Sequence, residues 1–345
     1  MKIVHLVWSL KLGGSETMLV NIANEQCKTE RVTIIIINEF YNKKLLESIS
    51  KNVRVILLHR QMQTRSLFPI MKLYFELFKI HPDIIHVHAE TMGTLVKPFI
   101  NKVAYTIHDT TIDADKMKVF RHNYAISNCV KKDFESRTGH KATVVYNGIK
   151  IDDFRKRNYT THHSPMKIVQ ISRLMHEKKG QHILISAIDI LRSIGVDNIE
   201  VDFIGEGESE QYLKKLVHEK NLESSIHFLG AKPYSYVEQH LCEYDLLVQP
   251  SIFEGFGLTV PEAMAAKVPV LVSNVEGPME IIDNGNYGYL FSSGDANDCA
   301  RMIKKILQTD NSKMIECAYR HVSENFNISV TAKRYIDEYH KIKKN

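Results

Sequence analysis

Leu246-Leu-Val-Gln-Pro-Ser-Ile-Phe-Glu254-Gly-Phe-Gly-Leu-Thr-Val-Pro-Glu262-Ala-Met-Ala-Ala266 runs from an apolar stretch through a glycine loop into a helix start. Leu246-Leu247-Val248 reads as a short buried strand and Ala263 to Ala266 as helix, so the segment is a strand-to-helix crossing. In an α/β protein such a crossing lies at the carboxyl edge of the sheet, where ligands bind and helix N-termini offer N–H groups to anions. Gly255 and Gly257 let the backbone approach a phosphate closely. Pro261 forfeits only an N–H that the first helical turn does not need. Glu254 and Glu262 would repel that phosphate if both faced it. They are better suited to accepting hydrogen bonds from hydroxyl groups, so the expected ligand carries both phosphate and sugar.

Short β-rich runs alternate with amphipathic stretches on either side of this crossing, which predicts parallel sheets with crossover helices. The first half offers strands at Lys2–Val7, Val32–Ile37, Val53–Leu58, Ile84–Val87, Val103–Ile107, Tyr124–Ile126 and Thr143–Val145. The second offers Lys167–Ile171, Glu200–Ile204, Ile226–Leu229, Leu246–Val248, Val270–Val272 and Tyr289–Phe291. With 345 residues the chain exceeds what one core usually fills. The polar stretch from Asp152 to Pro165 therefore reads as a linker between two doubly wound domains. The expected division is a domain over residues 1–150, a linker over 151–165, a second domain over 166–328 and a terminal helix over 329–345. That helix carries Val330, Tyr335, Ile336 and Tyr339 on one side, and it could pack on its own domain or cross back to the first.

Composition narrows the class. The chain is 44% hydrophobic and 25% charged, as ordinary globular proteins are. No run of about 18 apolar residues is present to span a bilayer, and no signal sequence is apparent at Met1–Trp8. Cys27, Cys129, Cys242, Cys299 and Cys317 stand singly, without metal or redox spacing, which fits a reducing cytoplasm. Residues 1–157 carry 25 Lys and Arg against 15 Asp and Glu, whereas residues 158–345 carry 20 against 25. The basic first half could attract anionic lipid, a pyrophosphate-bearing acceptor or nucleic acid, or it is a solvated lysine-rich surface.

Further constellations sit at the ends of expected strands. Gly13-Gly14-Ser15-Glu16 follows the first strand and opens a helix; it is either a phosphate-approaching loop or a tight turn with Ser15 as N-cap. Arg173 and the pair Lys178-Lys179 share one loop, where an arginine and a lysine can converge on a diphosphate or remain solvated. Counting from Arg173 favours Lys178 as the phosphate ligand, and counting back from Gly180 favours Lys179; Lys178 is preferred. His86-Val-His88 could ligate a metal, but no Cys or carboxylate cluster completes a set, so no metal site is assigned. His108, beside Asp109, suits a positioned polar contact or a general base. Gly205-Glu-Gly207 allows close backbone approach to a base or ribose, or forms a simple turn. Ser66 to Lys79 is unusually apolar, with Phe68, Met71, Phe75 and Phe78 interrupted by Lys72, Glu76 and Lys79. It is read first as a sheet-packing crossover helix and second as an interfacial helix that docks on anionic lipid.

In order and spacing, these pieces resemble a family 4 glycosyltransferase of the GT-B fold, the retaining, nucleotide-sugar-dependent type. The resemblance runs through Gly13-Gly14-Ser-Glu, Asp83-Ile-Ile-His-Val-His88, Thr106-Ile-His-Asp109, Asn147-Gly148, Ser172-Arg-Leu with Glu177-Lys-Lys-Gly180, Ile204-Gly-Glu-Gly207, and the Glu-x7-Glu stretch. It implies two Rossmann-like domains facing across a cleft, with the acceptor read by the first and the donor nucleotide held by the second. The donor's diphosphate would be held by Arg173, by a lysine and by the backbone around Gly257, Leu258 and Thr259, with Gly255 and Phe256 in the same loop. Glu254 would face the sugar hydroxyls and Glu262 the ribose, while His108 would act near the sugar and Gly13, Gly14 and Gly205 would border the donor. The implied donor is a UDP-sugar, with no metal or other cofactor required. The acceptor would be a saccharide or lipid-linked molecule of cell-surface polysaccharide or glycolipid synthesis; the basic first half and the apolar 66–79 stretch leave room for peripheral contact with an anionic membrane from the cytoplasmic side, and no nucleic-acid partner is expected. The competing readings are a nucleotide-sugar epimerase or phosphorylase of similar fold, and a non-catalytic nucleotide-sugar-binding subunit.

Overall fold

The structure is a computed structural model that describes residues 1–11, 13–62, 64–110, 112–158 and 163–344. Two compact units emerge: Met1–Gly148 together with Ile328–Asn345, and Ile149–Asn327. Each is built on one parallel sheet. The first unit contains β1 (Lys2–Val7), β2 (Arg31–Asn38), β3 (Arg54–Arg60), β4 (Ile84–Val87), β5 (Val103–Ile107), β6 (His122–Ala125) and β7 (Ala142–Val144), ordered β3-β2-β1-β4-β5-β6-β7. The second contains β8 (Met166–Ile171), β9 (Ile199–Ile204), β10 (Ile226–Gly230), β11 (Leu246–Gln249), β12 (Val270–Ser273) and β13 (Tyr289–Phe291), ordered β10-β9-β8-β11-β12-β13. The α/β architecture of two doubly wound sheets is thus the one expected, and strand ends differ from expectation by a residue or two.

The strands are near-continuous Val, Ile and Leu runs because helices cover both faces of such sheets. In β2, every residue after Arg31 is buried. In the second unit, Ile168, Val201, Phe203, Leu246 and Leu271 meet Ile183, Leu184 and Leu191 of the helix Gln181–Ser193 and Ile303 of the helix Ala296–Leu307. Full burial of each such side chain contributes about 1.5–3 kcal/mol. Strand order reverses between β1 and β4 and between β8 and β11, and the crevice outside the carboxyl ends at such a reversal is where α/β sheets bind ligands.

Three local expectations are corrected. Ser15 is not an N-cap: the helix Gly14–Gln26 is capped by Gly13 without a side-chain hydrogen bond, and Ser15 Oγ donates to Glu16 Oε2 at 2.7 Å. The C-terminal helix Ile328–Lys344 buries Ile328, Thr331, Ala332, Tyr335, Tyr339 and Ile342, leaving Val330 and Ile336 half-buried at the margins of that stripe. In the helix Phe68–Ile80 the buried residues are Pro69, Leu73 and Leu77, while Phe68, Met71, Phe75 and Phe78 are 70%, 66%, 64% and 59% exposed. Its small 69/73/77 stripe covers the sheet edge near β3, and the larger aromatic stripe lies on the other side. Residues 159–162 of the expected linker lie outside the described residues.

Candidate functional site

Two loops flank the β8/β11 reversal in the second unit. The loop after β8 carries Ser172 and Arg173 and ends in the short helix His176–Lys179; the loop after β11 carries Ser251 to Leu258 before the helix Thr259–Ala265. Backbone bonds tie them together, with Ile252 N and Phe253 N donating to the Lys178 carbonyl at 3.0 and 3.2 Å. Gln181 Nε2 clamps the first loop by donating to the Arg173 carbonyl at 2.9 Å and to Ser172 Oγ at 3.0 Å.

Glu254 sits where these loops meet. Its Oε2 accepts from Lys179 Nζ at 2.6 Å and from Gln249 Nε2 at 3.0 Å, and Gln249 Oε1 in turn accepts from Thr259 Oγ1 at 2.8 Å. Lys179 and Glu254 are both mostly buried, so their attraction is screened less than that of a surface pair. Gly257, at φ +93°, takes a backbone conformation open to glycine, and a Cβ there would strike the Gln249 amide at 2.7 Å. Lys178 is disposed differently, with its ammonium 5.0 Å from the Phe253 ring centroid. Arg173 is largely exposed and donates from Nε to Glu208 Oε2 at 3.0 Å.

Glu262, on the helix that follows, is only 5% exposed and accepts from the Tyr234 hydroxyl at 3.0 Å. Burial raises its carboxyl to about 8, opposed by the Tyr234 hydrogen bond and reinforced by the charge of Glu238. Gly205 and Gly207, at the end of β9, have a role that their spacing does not reveal. A Cβ on Gly205 would run into the Ser172 carbonyl, and one on Gly207 into the backbone of Leu174. Both glycines therefore let the β9 loop pack against the Arg173 loop.

In the first unit, Gly13, Gly14 and His108 lie at the carboxyl edge of the sheet, after β1 and β5. The register sets His5 beside His86, and His88 follows two residues on. His88 Nδ1 is 3.2 Å from His108 Nε2, and His88 Nε2 is 3.4 Å from His5 Nδ1. Burial pulls His5 and His108 down to about 4, and burial together with neighbouring imidazoles pulls His86 and His88 well below the ordinary value. All four rings are neutral at pH 7. His5, His86 and His88 are close enough to share a cation, and their rings lie against one another, His5 stacked on His88 and His86 tilted at 31° to His88 with centroids 4.2 Å apart. Both nitrogens of His86 are already engaged, Nδ1 with the Tyr339 hydroxyl at 2.5 Å and Nε2 with Thr106 Oγ1 at 2.7 Å. An ion shared by the three would have to displace the Tyr339 or Thr106 contact of His86.

A cavity of about 350 Å³ opens at the same edge, lined by Trp8, Lys11, Ser15, Glu16, Asn38 and His88 among others. The sequence reading missed Trp8, Lys11, Asn38, Gln249 and Tyr234. The lone tryptophan at a strand end was the one legible signal; Gln249 and Tyr234 become visible only through their partners.

Residues 12–153 match the profile described as Glycosyltransferase Family 4, and residues 152–321 match that described as Glycosyl transferases group 1. Among curated relatives, the amylovoran biosynthesis glycosyltransferase AmsK of Erwinia amylovora is 31% identical over 54% of this chain and 47% of its own length. The poly(ribitol-phosphate) alpha-N-acetylglucosaminyltransferase of Staphylococcus aureus is 32% identical over 51% of this chain and 35% of its own. The chain spans about half the length of the curated relatives it matches. Among solved structures, a Rickettsia africae glycosyltransferase superposes with a TM-score of 0.81 at 20% identity, covering 100% of this chain and 99% of that one. Anabaena HepE, solved with UDP and glucose, superposes at 0.80 with 22% identity and 98% coverage of both chains. The two profiles follow one another across nearly the whole sequence, and with the pair of doubly wound sheets they show that the chain belongs to the family 4 glycosyltransferases of the GT-B fold.

Proposed function

We propose that the protein is a retaining glycosyltransferase that moves a sugar from a UDP-sugar to a saccharide or lipid-linked acceptor in cell-surface polysaccharide or glycolipid synthesis. The observation that carries this reading is the Lys179–Glu254–Gln249–Thr259 cluster on loops that flank the strand-order reversal, with Arg173 on the same loop as Lys179. Departure of a nucleoside diphosphate builds negative charge on the β-phosphate while the sugar becomes oxocarbenium-like, so preplaced cations lower the barrier. Arg173 supplies a planar fork and Lys179 a point charge for that phosphate. Lys179 is preferred over Lys178 because its ammonium is already seated beside Glu254. Glu254 takes the sugar hydroxyls, Glu262 the ribose, and the backbone from Gly255 to Thr259 the diphosphate. His108 acts near the sugar from the first domain, which binds the acceptor; the cavity beside Trp8 supports that assignment. The acceptor attacks on the face the diphosphate leaves, and its proton passes toward the phosphate; trapping a glycosyl adduct on a carboxylate would end this mechanism. HepE, solved with UDP and glucose, and the polysaccharide-synthesis relatives support donor and pathway class.

The exposed aromatic stripe of the helix Phe68–Ile80, bordered by Lys72 and Lys79, supports peripheral contact with an anionic membrane. The transferase reading is tested by UDP release from a panel of nucleotide sugars. Release that requires both donor and acceptor supports transfer; release without acceptor, or none with any donor, opposes it. Lys179→Ala should lower kcat/KM about 10²–10³-fold, the range seen for a lost charge-stabilising group, and Lys178→Ala only a few-fold. Equal small losses would defeat the lysine assignment.

A further inference from the structure

Gln26, on the helix Gly14–Gln26, is fully buried and has no place in the donor chemistry. Its Oε1 lies 2.8 Å from His5 Nε2. From that contact inward, each ring hands a hydrogen-bond direction to the next. A carbonyl oxygen only accepts, so His5 carries its proton on Nε2 and leaves Nδ1 as a lone pair. Nδ1 of His5 then accepts from His88 Nε2 at 3.4 Å. That leaves His88 Nδ1 as a lone pair, which accepts from His108 Nε2 at 3.2 Å. We propose that Gln26, His5 and His88 form a buried chain that holds His108 as its Nε2–H tautomer, leaving Nδ1 to accept a hydrogen from a ligand hydroxyl. The three are positioning residues, acting on a ligand only through His108.

A second run of polar groups lies behind the chain. Tyr339 OH lies 2.5 Å from His86 Nδ1, His86 Nε2 lies 2.7 Å from Thr106 Oγ1, and Thr106 Oγ1 lies 2.9 Å from the Tyr335 hydroxyl. Burial raises the Tyr339 phenol well above its ordinary value, and the Gln26 amide acts in the opposite direction as a nearby donor. Gln26 Nε2 makes no hydrogen bond of normal geometry. The direction of the chain is set by Oε1, rather than Nε2, facing His5. Burial also keeps the linked rings neutral, so one tautomer rather than a charge is transmitted. Among the described residues His108 Nδ1 has no hydrogen-bond partner.

The tautomer does not depend on the transferase reading, but its consequence for a donor-sugar or acceptor hydroxyl rests on it. The test is a two-bond ¹H–¹⁵N correlation on the full chain labelled with ¹⁵N-histidine, with the His108 signals assigned by their loss in His108→Gln. At pH 7 the wild type should show the neutral Nε2–H pattern. Gln26→Leu should convert it to a mixture containing Nδ1–H and lower the turnover number about 10-fold, with the donor KM within about twofold. Gln26→Glu, isosteric and acceptor-only when ionised, should restore the Nε2–H pattern; if Gln26→Leu fails to fold, the wild-type and Gln26→Glu spectra decide. An Nδ1–H pattern in the wild type, or an unchanged pattern in a folded Gln26→Leu, overturns the proposal. The expected tautomers in a chain with no transferase activity would refute the function and leave the chain of hydrogen bonds standing.

Discussion

Glu262 combines a buried carboxyl with a single hydroxyl donor, and burial raises it from an ordinary 4.5 to about 8. Between those two values the folded protein keeps a proton that the unfolded chain has released. The stabilising preference for the folded state is therefore full below about 4.5 and is lost as pH rises through about 8. Glu262→Gln keeps the Tyr234 hydrogen bond and removes the titration. Its melting temperature should be less pH-dependent than the wild type's and higher at pH 8.5 by roughly 2–4 °C, the shift that about 1 kcal/mol produces in a domain of this size. A parallel pH profile in both proteins would show that burial is relieved by water. Gly205 offers a second residue-scale test. Gly205→Ala introduces a Cβ against the Ser172 carbonyl at φ +140°, and should cost about 1–3 kcal/mol in denaturant unfolding. Neither effect is visible in Gly-Glu-Gly or in Glu-x7-Glu as written. A carboxyl's protonation and a glycine's clash depend on which neighbours the fold brings.

The helix Phe68–Ile80 is the element whose reading changes most. Its hydrophobic residues form two stripes, and the sequence pattern alone does not say which faces the sheet. The structure buries Pro69, Leu73 and Leu77 and turns the aromatic stripe outward. A contiguous exposed apolar face of this kind marks an interaction surface. If the surface meets lipid, Phe75→Ser with Phe78→Ser should abolish sedimentation with anionic vesicles at low salt, while the melting temperature moves by no more than about 2–4 °C, since two exposed substitutions at about 0.5 kcal/mol each amount to about 1 kcal/mol. Sedimentation of the double variant equal to wild type would remove the membrane contact. Among the described residues no helix is long and apolar enough to cross a membrane. The strands were far more legible than this helix. Buried parallel strands are apolar on both faces, so their runs stand out without any knowledge of their neighbours.

At the scale of the molecule, the chain returns to its first unit: Ile328–Asn345 belongs with Met1–Gly148. Its tyrosines are buried there, Tyr339 on His86 and Tyr335 on Thr106, and Thr331 Oγ1 donates to the Tyr146 carbonyl at 2.9 Å. Truncation after Asn327 would strip the cover from those buried polar groups. It should make residues 1–148 rapidly cleaved by protease while residues 149–327 resist, and equal resistance of both units would argue against the role of the helix. The α/β class, thirteen strands in two sets, the glycine loop at the β11 crossing and the family resemblance are legible without the fold. These are local properties, written in apolar runs, turn residues and short motifs that need no distant partner. The folded arrangement was needed to show that Lys179 rather than Lys178 meets Glu254, that the terminal helix completes the first unit, that the aromatic stripe faces outward, and that Gln26, His5, His88 and His108 form one hydrogen-bonded chain with His86 packed against it. Each of these depends on residues brought together across strand order and chain return, and a hydrogen bond or an exposed face exists only once both sides are in place.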